Sequence, residues 1–162
     1  MKKLLVFGSL FLIGCLSPPE MVLPEYTKTI FVSIFQNETS EYGIQERLRS
    51  VIADEIVKDG RLRIEDKDPD CKIKGKISLY KKEPIAWTEE YRITEYRLIL
   101  TIDVFVEDRT GNKIWEGNIF EEVTYMPITS PLGTDKETED QAKKRLIEKI
   151  SRKIANRLLY GL

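Results

Sequence analysis

"YRITEYRLILTIDVFVED", Tyr91 to Asp108, decides the fold. Tyr96, Leu98, Leu100, Ile102, Val104 and Val106 alternate with a set that includes Arg97, Thr101, Asp103 and Glu107. A period of two over so many residues specifies a strand with one face on a core and the other in water. Asp108-Arg109-Thr110-Gly111 then supplies a tight turn, with glycine where a hairpin needs positive φ, and "KIWEGNIFEEVTY" reads as the returning strand. Upstream, Cys71, Ile73, Gly75, Ile77 and Leu79 alternate with Lys72, Lys74, Lys76 and Ser78. The three segments predict an antiparallel meander with Cys71 on the core side and a ladder of lysines on a solvated face.

Working outward, "TIFVSIF", Thr29 to Phe35, is rich in β-branched and aromatic residues and closes on the turn-forming "QNETS", so it reads as a first strand. From Gly43 to Lys58, Ile44, Leu48, Val51, Ile52 and Ile56 recur at helical spacing, and Gly60 stands where a helix should stop. Such a stripe faces the chain's own core or, alternatively, a partner protein. After a loop from Met126 to Glu137, Thr138-x-x-Gln141 forms a capping-box pattern ahead of Leu146, Ile150, Ile154 and Leu158, which share one helical face. The predicted order is β-α-β-β-β-α. Each element has one apolar side, so the expectation is a two-layer α+β domain over residues 29–162: a four-stranded mixed or antiparallel sheet with both helices packed on one face.

The N-terminus belongs to a different class of segment. Lys2-Lys3, an apolar run from Leu4 to Leu12 and a small-residue exit at Leu12-Ile13-Gly14-Cys15 describe an export signal too short to span a bilayer. The last four residues resemble a bacterial lipobox, which implies cleavage of residues 1–14 and lipidation of Cys15. The alternatives are an ordinary signal peptide or an apolar first strand with Cys15 incidental. Several acyl chains at ~0.8 kcal/mol per buried CH₂ make a durable anchor where one would be marginal. Residues 15–28, with three prolines, form the expected tether, and Leu16 rather than aspartate after the cysteine points to the outer membrane.

Cutting the first 14 of 162 residues leaves 148, enough for one well-buried domain. Removal of Lys2 and Lys3 from 26 basic residues leaves 24 against 27 acidic ones. The balance argues against a nucleic-acid binder, which would carry a basic excess. With Cys15 lipidated, Cys71 has no partner within the chain and is expected to be buried, the alternative being an intermolecular bond. The chain has no histidine and no phosphate-binding, nucleophile-elbow or zinc-protease motif, so neither an enzyme, a metal site nor a cofactor is expected. The acidic pairs Glu89-Glu90 and Glu121-Glu122 keep a small-ligand hydrolase or binding domain as a weaker alternative.

A set of short motifs, in order, carries a resemblance: the lipobox, Phe35-Gln36-Asn37-Glu38-Thr39, "KDGRL" from Lys58 to Leu62, and Gly75-Lys76-Ile77 with Tyr80 and Pro84. Glu95-Tyr96-Arg97-Leu98, the Asp108–Gly111 turn before Trp115, and Glu139-Asp140 with Ala142 complete it. Together they resemble the lipopolysaccharide-assembly lipoprotein family, LptE, over most of the mature chain. The resemblance implies an outer-membrane lipoprotein on the periplasmic side that plugs the lumen of the large β-barrel LptD, supports its assembly and handles lipopolysaccharide. Its partners would be that barrel, the glycolipid and the membrane. A lipoprotein activator or assembly factor of another envelope machine, for cell-wall synthesis or secretion, is the alternative. Successive meander strands reverse, so the tip after the Cys71 strand and the loop after the Trp115 strand lie at one end of the sheet. Arg92, Lys136 and Lys82 are therefore the candidate contacts for glycolipid phosphates, which arginine forks and lysine point charges both suit, the alternative being solvated loop ends whose positive charge Glu89, Glu90, Asp135 and Glu137 dilute.

Overall fold

The computed structural model describes residues 23–161, so the leader, Cys15 and most of the tether lie outside the described residues. Nine elements follow one another: β1 (Thr29–Val32), β2 (Gln36–Asn37), α1 (Ile44–Asp59), β3 (Arg63–Ile64), β4 (Cys71–Trp87), β5 (Ile93–Asp108), β6 (Lys113–Pro127), β7 (Lys136–Glu137) and α2 (Glu139–Tyr160). The strands run β3-β1-β4-β5-β6-β7 across the sheet, and β2 also pairs with β4. The meander β4-β5-β6 is antiparallel, while β1 is parallel to both its neighbours, β3 and β4.

The expectation of four strands is corrected to seven. The additional three, β2, β3 and β7, have two residues each, too few to show a period of two. β3 exists because the chain leaving α1 passes β1, where Arg63 and Glu65 amides donate to the Lys28 and Ile30 carbonyls at 2.9 and 3.0 Å.

The predicted first strand is also broken. Val32 pairs with Ile73 and Gln36 with Lys76, so four steps on one strand face three on the other. The additional residue is a bulge that flips the alternation. Ile34 is turned out to 61% exposure, and Phe35 enters the core. Gly75 makes room for it: a Cβ there would lie 2.1 Å from the Phe35 ring. After the bulge, the Asn37 side chain accepts from the Thr39 amide and hydroxyl at 3.0 and 2.8 Å. Its amide nitrogen donates to the Glu41 carbonyl at 2.7 Å and to Gln45 at 3.0 Å. The Phe-x-Asn-x-Thr run is thus a core plug followed by a side-chain turn that delivers the chain into α1.

The long elements match their patterns except in β4, where a bulge after Ile77 shifts the register and turns Leu79, expected on the core face, out to 42% exposure. Leu98, Leu100, Ile102, Val104 and Val106 are fully buried under the helices, as are Cys71, Ile73 and Ile77. Ile44, Leu48, Ile52 and Ile56 from α1 and Leu146, Ile150, Ile154 and Leu158 from α2 close the core from one side, so the α1 stripe is spent on its own domain. Both Thr138 and Gln141 make the reciprocal capping-box bonds. Burial pushes the Cys71 thiol up to about 12, with the neighbouring Asp70 carboxylate adding to it, and the residue is a free cysteine sealed in the core. The lysine ladder is solvated, with Lys74 paired to Glu107 at 2.6 Å and Lys76 to Glu38 at 3.5 Å.

The C-terminal ends of both helices are tied together. Arg61, just past α1, bonds Asp59 at 2.7 Å and the Leu159 carbonyl at 2.9 Å, and lies 4.1 Å over the Tyr160 ring. The Tyr160 hydroxyl donates to Asp59 at 2.6 Å. Hydrogen bonds from Arg61 and then Tyr160 hold the Asp59 carboxyl at about 2, below its ordinary 3.8. Ionised Asp59 therefore favours the fold, fully above pH 3.8 and progressively less as pH falls to about 2. Asp59→Asn is expected to flatten the acid limb of a stability-versus-pH curve in that window, with a direct carboxyl titration by NMR locating the midpoint.

Candidate functional site

The three long strands outrun the helices. β5, with 16 residues, extends about 54 Å at a strand's rise, whereas the 22 residues of α2 span about 33 Å. The first turn of α2 meets β4 at Lys82, whose ammonium bonds Glu139 at 2.6 Å. Beyond that point β4 and β5 continue as a projecting hairpin in which no β4 residue is buried, Pro84 and Trp87 being exposed and Glu83, Ile85 and Ala86 half-buried.

The hairpin tip is built by a turn in which the Thr88 amide donates to the Arg92 carbonyl at 2.9 Å and the Tyr91 amide to the Thr88 carbonyl at 3.0 Å. Tyr91 takes φ 60 and is 89% exposed, and Trp87 beside it is 52% exposed. Arg92 pairs with Glu90 at 3.2 Å on the same tip. At this end of the sheet the β6–α2 connection forms a second lobe. Its Ser130 amide donates to the Pro127 carbonyl at 2.8 Å, and the Lys136 ammonium reaches back to the Ser130 carbonyl at 2.5 Å. β7 fixes that lobe by pairing Met126 with Lys136 and Pro127 with Glu137. Ile128 and Leu132 project from it.

Lys82 and Lys136 are brought to the same neighbourhood, since Glu139, which holds Lys82, is three residues from Lys136. Arg92 is not. Lys82 pairs with Leu98 and Trp87 with Ile93, which puts Arg92 roughly 15–20 Å further along the hairpin. Lys82 is also engaged differently from the other two cations. It sits 4.4 Å over the Tyr96 ring, and Tyr96 stacks on Tyr125 at 5.6 Å. Burial by itself would lower the Lys82 pKa, and its hydrogen bonds to Glu139 and Tyr125 outweigh that and raise it. Lys82 thus remains charged and ties the hairpin to the start of α2, where an acidic residue is also favoured by the helix dipole.

A second cation lies under this junction. Lys143 is paired with Glu41 and, at 3.7 Å, with Asp140, linking the turn before α1 to α2. Here too burial alone would lower the pKa, and the hydrogen bond that Lys143 donates to Glu41 raises it. The Tyr80 hydroxyl is buried nearby with no hydrogen-bond partner among the described residues, and burial, with the charges of Glu139 and Glu41, pushes its pKa up. These groups brace the base of the hairpin. Among the described residues no three acidic or cysteine side chains converge into a metal cage.

Sequence reasoning missed the apolar half of the site. Trp87, Tyr91, Ile128 and Leu132 lie in "WTEEY" and "ITSPLG", stretches of turn composition, and large apolar residues there without periodicity were the signal. The opposite end of the sheet receives the chain that precedes β1. Asp70 accepts from the Lys28 and Thr29 amides at 2.9 and 3.0 Å and so pins the start of β1 there. A cleft of 570 Å³ at this end is lined by Leu23, Lys28, Arg61 and the end of α2, among others.

A long meander with a parallel N-terminal strand and two helices on one face defines a class of small α+β domains that this chain shares with several solved structures. Similar structures include a minor lipoprotein from Acinetobacter baumannii (TM-score 0.51, 15% identity, covering 83% of this chain and 92% of that one). Others are the hypothetical protein CT253 from Chlamydia trachomatis (0.52, 9%, 82% and 98%) and a PelC dodecamer from Paraburkholderia phytofirmans (0.50, 14%, 83% and 88%). At such identities the likeness is one of fold. A comparison with curated proteins finds no match. The family profile described as "LptE: Lipopolysaccharide-assembly" matches residues 27–158, so the chain belongs to the lipopolysaccharide-assembly LptE family, whose members are assembly lipoproteins of the cell envelope rather than catalysts.

Proposed function

We propose that the protein is an outer-membrane lipoprotein, anchored through Cys15 on the periplasmic side, that seats in the lumen of a large LptD-type β-barrel. There it supports assembly of the barrel and assists lipopolysaccharide toward the cell surface. The observation that carries this reading is the projecting β4–β5 hairpin with the lobe beside it. Two separate patches support it: exposed Trp87 and Tyr91 with Arg92 at the hairpin tip, and exposed Ile128 and Leu132 with Lys136 in the lobe, nearer to Lys82. Phosphorylated glycolipids present acyl chains next to anionic groups, and a surface that alternates aromatic and cationic side chains meets both. The tether enters at the other end of the sheet, so an anchor at Cys15 leaves the hairpin pointing away from the attachment point. A charged exterior around an apolar core also suits the polar lumen of a plugged barrel.

A mild-detergent pull-down from membranes through the C-terminus is expected to bring down one large β-barrel, and recovery of the protein without it would refute the partnership. For the glycolipid contact, Arg92→Glu with Lys136→Glu is expected to weaken lipopolysaccharide binding by the purified protein about tenfold while leaving its thermal transition in place. Unchanged binding would remove both residues from the site.

A further inference from the structure

Among the described residues, the outer edge of β6 is a long unpaired edge of the sheet, as is the stretch of β4 beyond Ile77. β5 covers one side of β6 throughout, but on the other side β7 pairs only with Met126 and Pro127. Along the open stretch, α2 supplies the hydrogen bonds that a neighbouring strand would make. Arg145 donates to the Thr124 carbonyl at 2.8 Å, Lys149 to the Glu122 carbonyl at 3.3 Å and Lys153 to the Phe120 carbonyl at 2.9 Å. The match is metric. Four residues of helix advance about 6 Å and two residues of antiparallel strand about 6.8 Å, so cations spaced by four meet carbonyls spaced by two.

Each of these side chains is about half exposed. Two clefts of 530 and 420 Å³ open along the same seam and share Lys149 and Arg152. Lys149 and Lys153 already pair with Glu121 at 2.7 and 3.4 Å and Arg145 with Glu137, but Arg145, Lys149, Arg152, Lys153 and Arg157 still outnumber Glu121, Glu122 and Glu137 along the seam, in a chain whose formal net charge is −1. The seam is therefore a local cationic stripe running beside a backbone edge.

We propose that this edge accepts an extended acidic segment of a partner polypeptide, which adds to β6 as a further strand. In the free protein the ammonium and guanidinium heads satisfy the carbonyls. When a strand arrives, its amides take over the carbonyls of Phe120, Glu122 and Thr124. Its own carbonyls meet the amides of the same three residues, which in antiparallel geometry face the same side. The displaced cations turn to the incoming carboxylates. The carbonyl bonds given up by the cations are replaced by main-chain bonds, the Glu122 amide exchanges its 3.3 Å bond to the Glu121 carboxylate for a strand carbonyl, and the incoming carboxylates join Glu121 and Glu137, which Lys149, Lys153 and Arg145 already hold. Main-chain pairing would supply the affinity and the cation stripe the preference for acidic sequence.

The test uses a fluorescein-labelled, capped peptide alternating glutamate with valine, titrated into the purified domain and followed by anisotropy. Saturable binding is expected, with two signatures. A copy N-methylated at alternate amides should bind at least about tenfold more weakly, because it cannot form the ladder. Lys149→Glu with Lys153→Glu should cost a similar factor, and the gentler Lys149→Gln with Lys153→Gln a smaller one, both with unchanged circular dichroism. Equal binding of the N-methylated copy would overturn the proposal, because the stripe would then read charge alone. Absence of binding by the wild-type protein would also overturn it. Self-association of an Arg145→Ala, Lys149→Ala, Lys153→Ala variant would in that case mark the cations as guards against edge pairing.

Discussion

Gly75→Val is expected to abolish stable folding or to cost at least about 3 kcal/mol, read as a lowered urea midpoint with an unchanged slope. The reason is local and steric. A Cβ at residue 75 would meet two carbons of the Phe35 ring at 2.1 and 2.2 Å and the Asp103 carbonyl at 2.9 Å. Neither neighbour can yield. Phe35 is 1% exposed beneath the β1–β2 bulge, and Asp103 belongs to the backbone of β5, paired on both sides. If this contact is the cause, shortening Phe35 should relieve it: Gly75→Ala is expected to be tolerated better alongside Phe35→Leu than alone. A double-mutant cycle with no coupling would show that residue 75 is constrained by something else.

Ile102→Ala is the second large effect. Ile102 is fully buried at the centre of β5, with Ile77 opposite on one side and Ile119 on the other. Deleting its side chain leaves a cavity in a close-packed layer, at about 2–5 kcal/mol and roughly 6–15 °C in Tm. One residue earlier, Thr101 lies on the other face of the same strand, and Thr101→Ala is expected to change stability by no more than about 0.5 kcal/mol. Calorimetry on the pair tests which face of the meander carries the core, and similar losses at both positions would contradict the observed orientation.

The parts of the fold visible in the sequence are those where one physical effect repeats. Leu98 to Val106 and Leu146 to Leu158 each hold a single period over many residues, and the structure reproduces both. Features set by one contact were not visible. The break after Val32 depends on Phe35 meeting Gly75, forty residues away, and local pattern gives Ile34 as strong a claim to the core as Phe35. The two-residue strands β2, β3 and β7 likewise owe their pairing to where the neighbouring chain happens to pass.

The site was legible by halves. Reversal of meander strands placed Lys82 and Lys136 at one end of the sheet, and they share a neighbourhood there. The length of the hairpin, which carries Arg92 well beyond them, follows from β4 and β5 continuing past the last helical cover. Pro84 within β4 and the turn-like "WTEEY" concealed that extension. The Lys82–Glu139 and Lys143–Glu41 pairs join residues 57 and 102 positions apart, and no local pattern announces such partners.

The position of β1, flanked on both sides by strands that come later in the chain, has a mechanical consequence. Residues before Thr29 enter the domain at the start of this interior strand and not through a strand at the sheet's margin. A pull along β1 from that terminus would load two parallel ladders in shear, several hydrogen bonds at once, together with the Asp70 clamp at their head, rather than unzip one bond after another. The domain is thus built to resist traction applied through its leading segment, the direction from which a lipid-tethered protein would be tugged.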